Sequence, residues 1–101
     1  MSEDAEAALI ASSGLDVSAP LALRHVLLVH DPAAAERLAV AVGEAGYDAR
    51  IDTHDGGWTW IVSAAETALL TAAHAAAARA VLGVLAAQHG ADYEGWEVTG
   101  T

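Results

Sequence analysis

Apolar positions along the chain fall into four short clusters separated by two longer stretches of helical period, and their order predicts βαββαβ. Leu21 to His30 is a short apolar run centred on Val26, Leu27, Leu28 and Val29, the pattern of a strand flanked on both sides. Asp31-Pro32 then signals a helix start, because Asp caps free amides and Pro fits the first helical position, where its missing N–H costs nothing. Ala35, Leu38, Ala39, Val42 and Ala45 recur at helical spacing, and Gly46 supplies the stop.

Tyr47 to Thr53 alternates, with Tyr47, Ala49 and Ile51 on one side and Asp48, Arg50 and Asp52 on the other. Asp55-Gly56-Gly57 marks a hairpin turn, and Trp58 to Val62 reads as the third strand. Ser63-Ala64-Ala65-Glu66 has the capping-box spacing and predicts the start of a second helix running to about His89. Its expected buried stripe is Leu70, His74, Ala77, Val81, Val84 and Leu85, with Gly90 as its terminator. Asp92 to Val98, centred on Tyr93 and Trp96, is the fourth strand. Residues 1 to 20 mix acids, Ala, Ser, Gly and Pro without a sustained period and read as a weakly ordered arm, with room for a short helix at Asp4 to Ile10.

With right-handed crossovers and two helices covering one sheet, this order points to an α+β ferredoxin-like sandwich: a four-stranded antiparallel sheet with both helices on one face, over residues 21–101. Such a topology gathers His30, Asp31, Asp52, His54, Asp55, Trp58, Asp92, Tyr93 and Glu94 along one rim. The uncovered sheet face is expected to carry Arg24, Val26, Leu28, Arg50, Thr59 and Ile61.

Composition narrows the function. The 101 residues suffice for one core, and alanine supplies much of the 54% hydrophobic fraction, so packing must rely on Leu, Val, Ile and three Trp. Four basic against 14 acidic residues leave a formal charge of −10, which repels phosphates and favours basic partners; direct binding of nucleic acid is not expected. The absence of cysteine removes disulfides, thiolate nucleophiles and cysteine-held zinc or iron–sulfur sites. The acidic start Met1-Ser2-Glu3-Asp4-Ala5-Glu6 is unlike a secretory signal, and His74, Arg79 and Gly83 interrupt the alanine-rich stretch, so neither export nor a membrane span is expected. A cytoplasmic location follows.

Gly90-Ala91-Asp92-Tyr93-Glu94-Gly95-Trp96-Glu97 resembles the Tyr-Asp/Glu-Gly-Trp signature of the RraB family, protein inhibitors of ribonuclease E. Gly46-Tyr47-Asp48-Ala49 is similar to the family's Gly-Tyr lead into strand two, and Asp55-Gly56-Gly57-Trp58 to its Asp-Gly-Trp turn into strand three. The likeness spans Leu21 to Val98. It implies a ferredoxin-like regulator that binds the endonuclease, or a basic segment of its scaffold, and lowers its activity without touching RNA. The long acidic C-terminal tail of some relatives has no counterpart here, so the likeness speaks more for the fold than for the partner.

The candidate partner-binding residues are Asp52, Asp55, Trp58, Asp92, Tyr93, Glu94, Gly95 and Trp96. Tyr and Trp offer large contact area with a polar handle, Gly admits close backbone approach, and gathered acids raise the local field. Against this, the acids could simply cap and solvate turns, and strand alternation puts Tyr93 and Trp96 on opposite faces, so at most one serves a given surface. Trp58, Trp60 and Val62 share a face expected to point at the helices. Histidines 30, 54 and 89 lack any H-x-x-x-H or H-E-x-x-H spacing, and His25 and His74 read as packed, hydrogen-bonded residues, so no metal or cofactor is expected. Without a G-x-S-x-G elbow, a P-loop or a dinucleotide fingerprint, no catalysis is expected. Three alternatives remain: an interaction module of the same fold with an unrelated partner, such as an immunity-like or assembly factor; a small enzyme or metal-binding domain with His30, His54 and an acid in a rim pocket; and a homodimer joined through the open sheet face.

Overall fold

Asp31 begins the first helix as its sequence requires: the residue is extended, its carboxylate accepts the Ala34 amide at 3.1 Å, and Pro32 takes the first helical position. The computed structural model describes residues 19–54 and 59–99. In chain order the elements are β1 (Leu21–Val29), α1 (Pro32–Glu44), β2 (Asp48–His54), β3 (Thr59–Ala68), α2 (Ala72–Gln88) and β4 (Asp92–Thr99). The strands form one antiparallel sheet in the order β2-β3-β1-β4. With the βαββαβ sequence of elements, this is the ferredoxin-like arrangement. The expected arm at 1–20 and its short helix lie outside the described residues, apart from Ala19 and Pro20.

The core lies between the sheet and the helices. β1 contributes Leu23, Leu27 and Val29 and β3 contributes Val62 and Ala64, all buried; α1 adds Ala34, Ala35, Leu38 and Val42. Burying a side chain such as Leu38 or Leu82 contributes roughly 1.5–3 kcal/mol. Three of the four buried residues of α2, Ala75, Ala78, Leu82 and Ala86, are alanine, so the helix backbone can lie close to the sheet.

Two expectations are corrected here. Ser63-Ala64-Ala65-Glu66 does not open a helix; it is the second half of β3, which continues to Ala68. β1 is nine residues long, and every one of them pairs with β3, from Leu21 opposite Ala68 to Val29 opposite Trp60. Ending β3 at Val62 would have stripped β3 partners from Leu21 to Val26, six of the nine residues of β1, a loss that two capping hydrogen bonds could not offset. The actual N-cap is Thr71, whose hydroxyl accepts the His74 amide at 3.0 Å.

The second correction concerns the buried stripe of α2. Leu70 is buried ahead of the helix, Leu85 is half-buried and His74 partly so, but Ala77, Val81 and Val84 face outward. The inward stripe is Ala75, Ala78, Leu82 and Ala86. With alanine all around the helix, period alone leaves its rotation about the axis undetermined. At its far end Gly90, at φ +67°, terminates α2 as the sequence predicts.

Candidate functional site

Cross-strand partners share a face, so the register assigns each candidate side chain to a side of the sheet. On the open face, Asp52 of β2, Ile61 of β3, Leu28 of β1 and Asp92 of β4 form one transverse row. The next row is Arg50, Ser63, Val26 and Gly95, and the third is Asp48, Ala65, Arg24 and Glu97. The six residues expected on this face, Arg24, Val26, Leu28, Arg50, Thr59 and Ile61, all lie on it by register. Arg24 is held there: its Nε donates to Ser63 Oγ at 3.0 Å, and Nη1 lies 3.3 Å from Glu97 Oε1. An open hollow of about 320 Å³ lies between Arg24, Arg50 and the acids Asp48 and Asp52.

The expected rim exists as a backbone feature. The ends of β1 and β2 and the starts of β3 and β4 share one end of the sheet, with Val29 opposite Trp60, Leu28 opposite Asp92 and Thr53 opposite Trp60. His30 and Asp31 lie there, with His30 Nδ1 3.5 Å from Thr59 Oγ1. Asp55 and Trp58 lie outside the described residues, as does the side chain of His54. Among the described residues no three His, Asp or Glu side chains converge as a metal ion would require, and no helix is long and apolar enough to cross a membrane.

Tyr93 and Trp96 share a face, contrary to the expectation from alternation. β4 carries a bulge: Gly95 pairs with Val26 and Tyr93 with Leu27, leaving Glu94 as an extra residue. One extra residue shifts the side-chain parity, so Tyr93 and Trp96, opposite Leu27 and His25, both project toward the helices. Gly95 makes the bulge affordable, because its φ of +129° lies where a side chain is disfavoured. Of the expected docking residues, Asp52, Asp92 and Gly95 thus belong to the open face and exposed Glu94 to the bulge at its margin, while Tyr93 and Trp96 are half-buried on the helix side together with Trp60.

On that helix side lies a polar cluster that sequence reasoning missed. His25, fully enclosed, has Nε2 2.7 Å from Glu66 Oε2 and Nδ1 2.9 Å from the Tyr93 hydroxyl. His74 Nε2 reaches the same carboxylate oxygen at 2.9 Å. An ionised carboxylate only accepts, so His25 carries its proton on Nε2, and a neutral imidazole then accepts the tyrosine hydroxyl at Nδ1. The Tyr47 ring meets His25 edge-on at 5.7 Å, and the Arg79 guanidinium lies over the Tyr93 ring at 5.2 Å from its centroid.

Burial alone would raise the Glu66 carboxyl, but the hydrogen bonds it accepts from His25 and His74, with the electrostatic attraction of the two rings, outweigh it and hold the group below the ordinary carboxylate value. Burial, with the Glu66 charge behind it, pushes the Tyr47 hydroxyl above the usual tyrosine range. No signal in the linear order could have assembled this cluster, because its members come from β1, β3, α2 and β4, and Glu66 was claimed by a capping pattern. Every buried side-chain polar atom among the described residues has a partner. The cluster is a hydrogen-bonded polar tie across the core.

A family model described as regulator of ribonuclease activity B, RraB, matches residues 5–98, nearly the whole chain. No curated protein matches the sequence.

Proposed function

Because the chain belongs to the RraB family, regulators of ribonuclease activity, we propose that it binds ribonuclease E, or a basic segment of its scaffold, in the cytoplasm and lowers RNA cleavage with no chemistry of its own. The observation that carries this reading is the transverse row Asp52, Ile61, Leu28, Asp92, in which an apolar pair is bracketed by two carboxylates on the sheet face that neither described helix covers. Exposed acids contribute only ~0–1 kcal/mol each, so Leu28 and Ile61 supply the affinity while Asp52, Asp92 and Glu94 steer a cationic partner and set its orientation. Asp55 and Trp58, between β2 and β3 in the chain, are proposed as further contacts and lie outside the described residues. Gly95 keeps the β4 side of it free of a side chain. Tyr93 and Trp96 act from beneath, by fixing the strand that carries Asp92 and Glu94. The formal charge of −10 opposes direct contact with RNA, so the target is the enzyme and not its substrate.

Calorimetric titration of the full chain into ribonuclease E at low and moderate salt tests the reading. Binding that weakens with salt, and that is weakened further by Asp52→Lys with Asp92→Lys, is the expected result. No heat at low salt overturns the proposed partner, and capture of one unrelated protein from extract in its place selects the interaction module with a different target.

A further inference from the structure

The sheet has two outer edges, and they differ. β4 is interrupted by its bulge, and its charged residues, Asp92, Glu94 and Glu97, are all acids, so this edge repels a strand from another acidic chain. β2 lacks both protections. Its pairing with β3 runs without a break from Asp48 opposite Ala65 to Thr53 opposite Trp60, and among the described residues no strand pairs with its outer side. Every residue from Arg50 to Thr53 is exposed, including the apolar Ile51 at 39%.

Charges on this edge alternate in sign. Asp48, Arg50 and Asp52 occupy every second position, so all three stand on the open side of the sheet, with Ile51 on the other side. Among the described residues none of the three takes part in an ion pair. Neighbours two apart in a strand stand ~6.7 Å from one another, wider than the ~5 Å between residues directly opposite across a strand pair. The fitting partner for Arg50 is therefore an acid on an added strand, and the fitting partner for Asp52 is a base two positions along it.

We propose that the outer edge of β2 pairs antiparallel with β2 of a second copy of this chain, Ile51 opposite Ile51, joining the two sheets into one. In this register Arg50 of each copy stands opposite Asp52 of the other, Ala49 stands opposite Thr53, and the two Ile51 residues meet at the two-fold axis. Charge selects the register. Centring the pair on Arg50 or on Asp52 sets like charges opposite one another, and centring it between residues sets Arg50 or Asp52 opposite Ile51 and turns the helices of the two copies to opposite faces. The formal charge of −10 on each copy opposes association, but at physiological salt that repulsion is screened beyond ~8 Å, whereas the two Arg50–Asp52 pairs act in contact. Both open faces then lie on one side of the joined sheet, and the row Asp92, Leu28, Ile61, Asp52 runs on into Arg50, Ser63 and Val26 of the second copy.

Sedimentation equilibrium of the full chain, beside its Arg50→Asp and Asp52→Arg variants, tests the pairing. The parent is expected to reach twice the chain mass as concentration rises. Each variant is expected to self-associate about tenfold more weakly, because each sets like charges opposite one another twice. An equimolar mixture of the two variants is expected to recover the association of the parent, since the introduced carboxylate of one chain then faces the introduced guanidinium of the other, and native Asp52 faces native Arg50. Net charge alone would act differently, for Asp52→Arg makes the chain less acidic and would tighten its self-association. Hydrogen exchange followed by NMR is expected to slow at β2 amides, and not at those of β4, as concentration rises. A parent that stays monomeric at every concentration overturns the inference. So does a mixture that associates no better than its components, or a dimer whose β2 amides still exchange at the monomer rate.

Discussion

His25, 1% exposed, donates its Nε2–H to Glu66 Oε2 at 2.7 Å, so the most enclosed polar side chain among the described residues is tied to a carboxylate on the neighbouring strand. The bond joins β1 to β3. Through His74 on α2 and Tyr93 on β4 the same groups engage four of the six elements, and removing Glu66 or Tyr93 leaves the enclosed His25 ring short of a partner.

Glu66→Ala is expected to lower stability by about 1.5–3 kcal/mol, the range for hydrogen bonds to a charged group. Urea unfolding monitored by tryptophan fluorescence measures it, and a loss no larger than that of an exposed-site control such as Glu36→Ala would contradict the assignment of the cluster as structural.

The pH dependence has a definite sign. The folded-state carboxyl of Glu66 is held below its ordinary value, so the stability it contributes is complete above the unfolded carboxylate range and is lost as pH falls through the folded value. Glu66→Gln is expected to flatten the acid limb of the stability curve. At the other end, the raised Tyr47 hydroxyl contributes stability below the ordinary tyrosine value that declines as pH rises beyond it, and spectrophotometric titration should show one tyrosine ionising late.

Gly95→Ala should destabilise by about 1–3 kcal/mol through backbone strain alone. A Cβ at Gly95 would meet nothing within 4 Å, so the cost arises from its φ of +129° and not from a clash. Stability equal to that of the parent would show that β4 accommodates Tyr93 and Trp96 without the bulge.

Leu82→Ala is expected to cost about 2–5 kcal/mol, whereas Val40→Ala, at a position 63% exposed on α1, should stay within about 0.5 kcal/mol. Denaturant midpoints of the two variants check the helix rotations directly.

Replacing Asp52 and Asp92 together by Lys should slow association with a basic partner about tenfold at low salt and flatten its salt dependence, with the fold intact. Stopped-flow association rates decide it, with Glu36→Lys on α1 as the control for net charge. Equal slowing by both would mean that the whole acidic field, and not the open face, steers the encounter.

The order of elements, the caps at Asp31 and Gly90, the alternation of β2 and the face assignments of β1 were legible in the sequence because each depends on residues within a few positions of one another. Binary period and terminal chemistry are local quantities, and topology rules convert their order into one sheet with two helices on one face. The sequence also determined the charge and the aromatic signature around Tyr93 and Trp96.

Three features were decided only by tertiary structure. β3 runs through an apparent capping box because β1 has nine residues to pair, a demand made by a strand that lies distant in sequence. The rotation of α2 was set by how closely alanines let the helix approach the sheet, since its own pattern favours no face. The bulge at Glu94 turned Trp96 to the side of Tyr93, and Tyr93 with His25, Glu66 and His74 forms a polar tie. Energies of that kind belong to pairs of groups far apart in the chain, and the linear order holds no record of which pairs will meet.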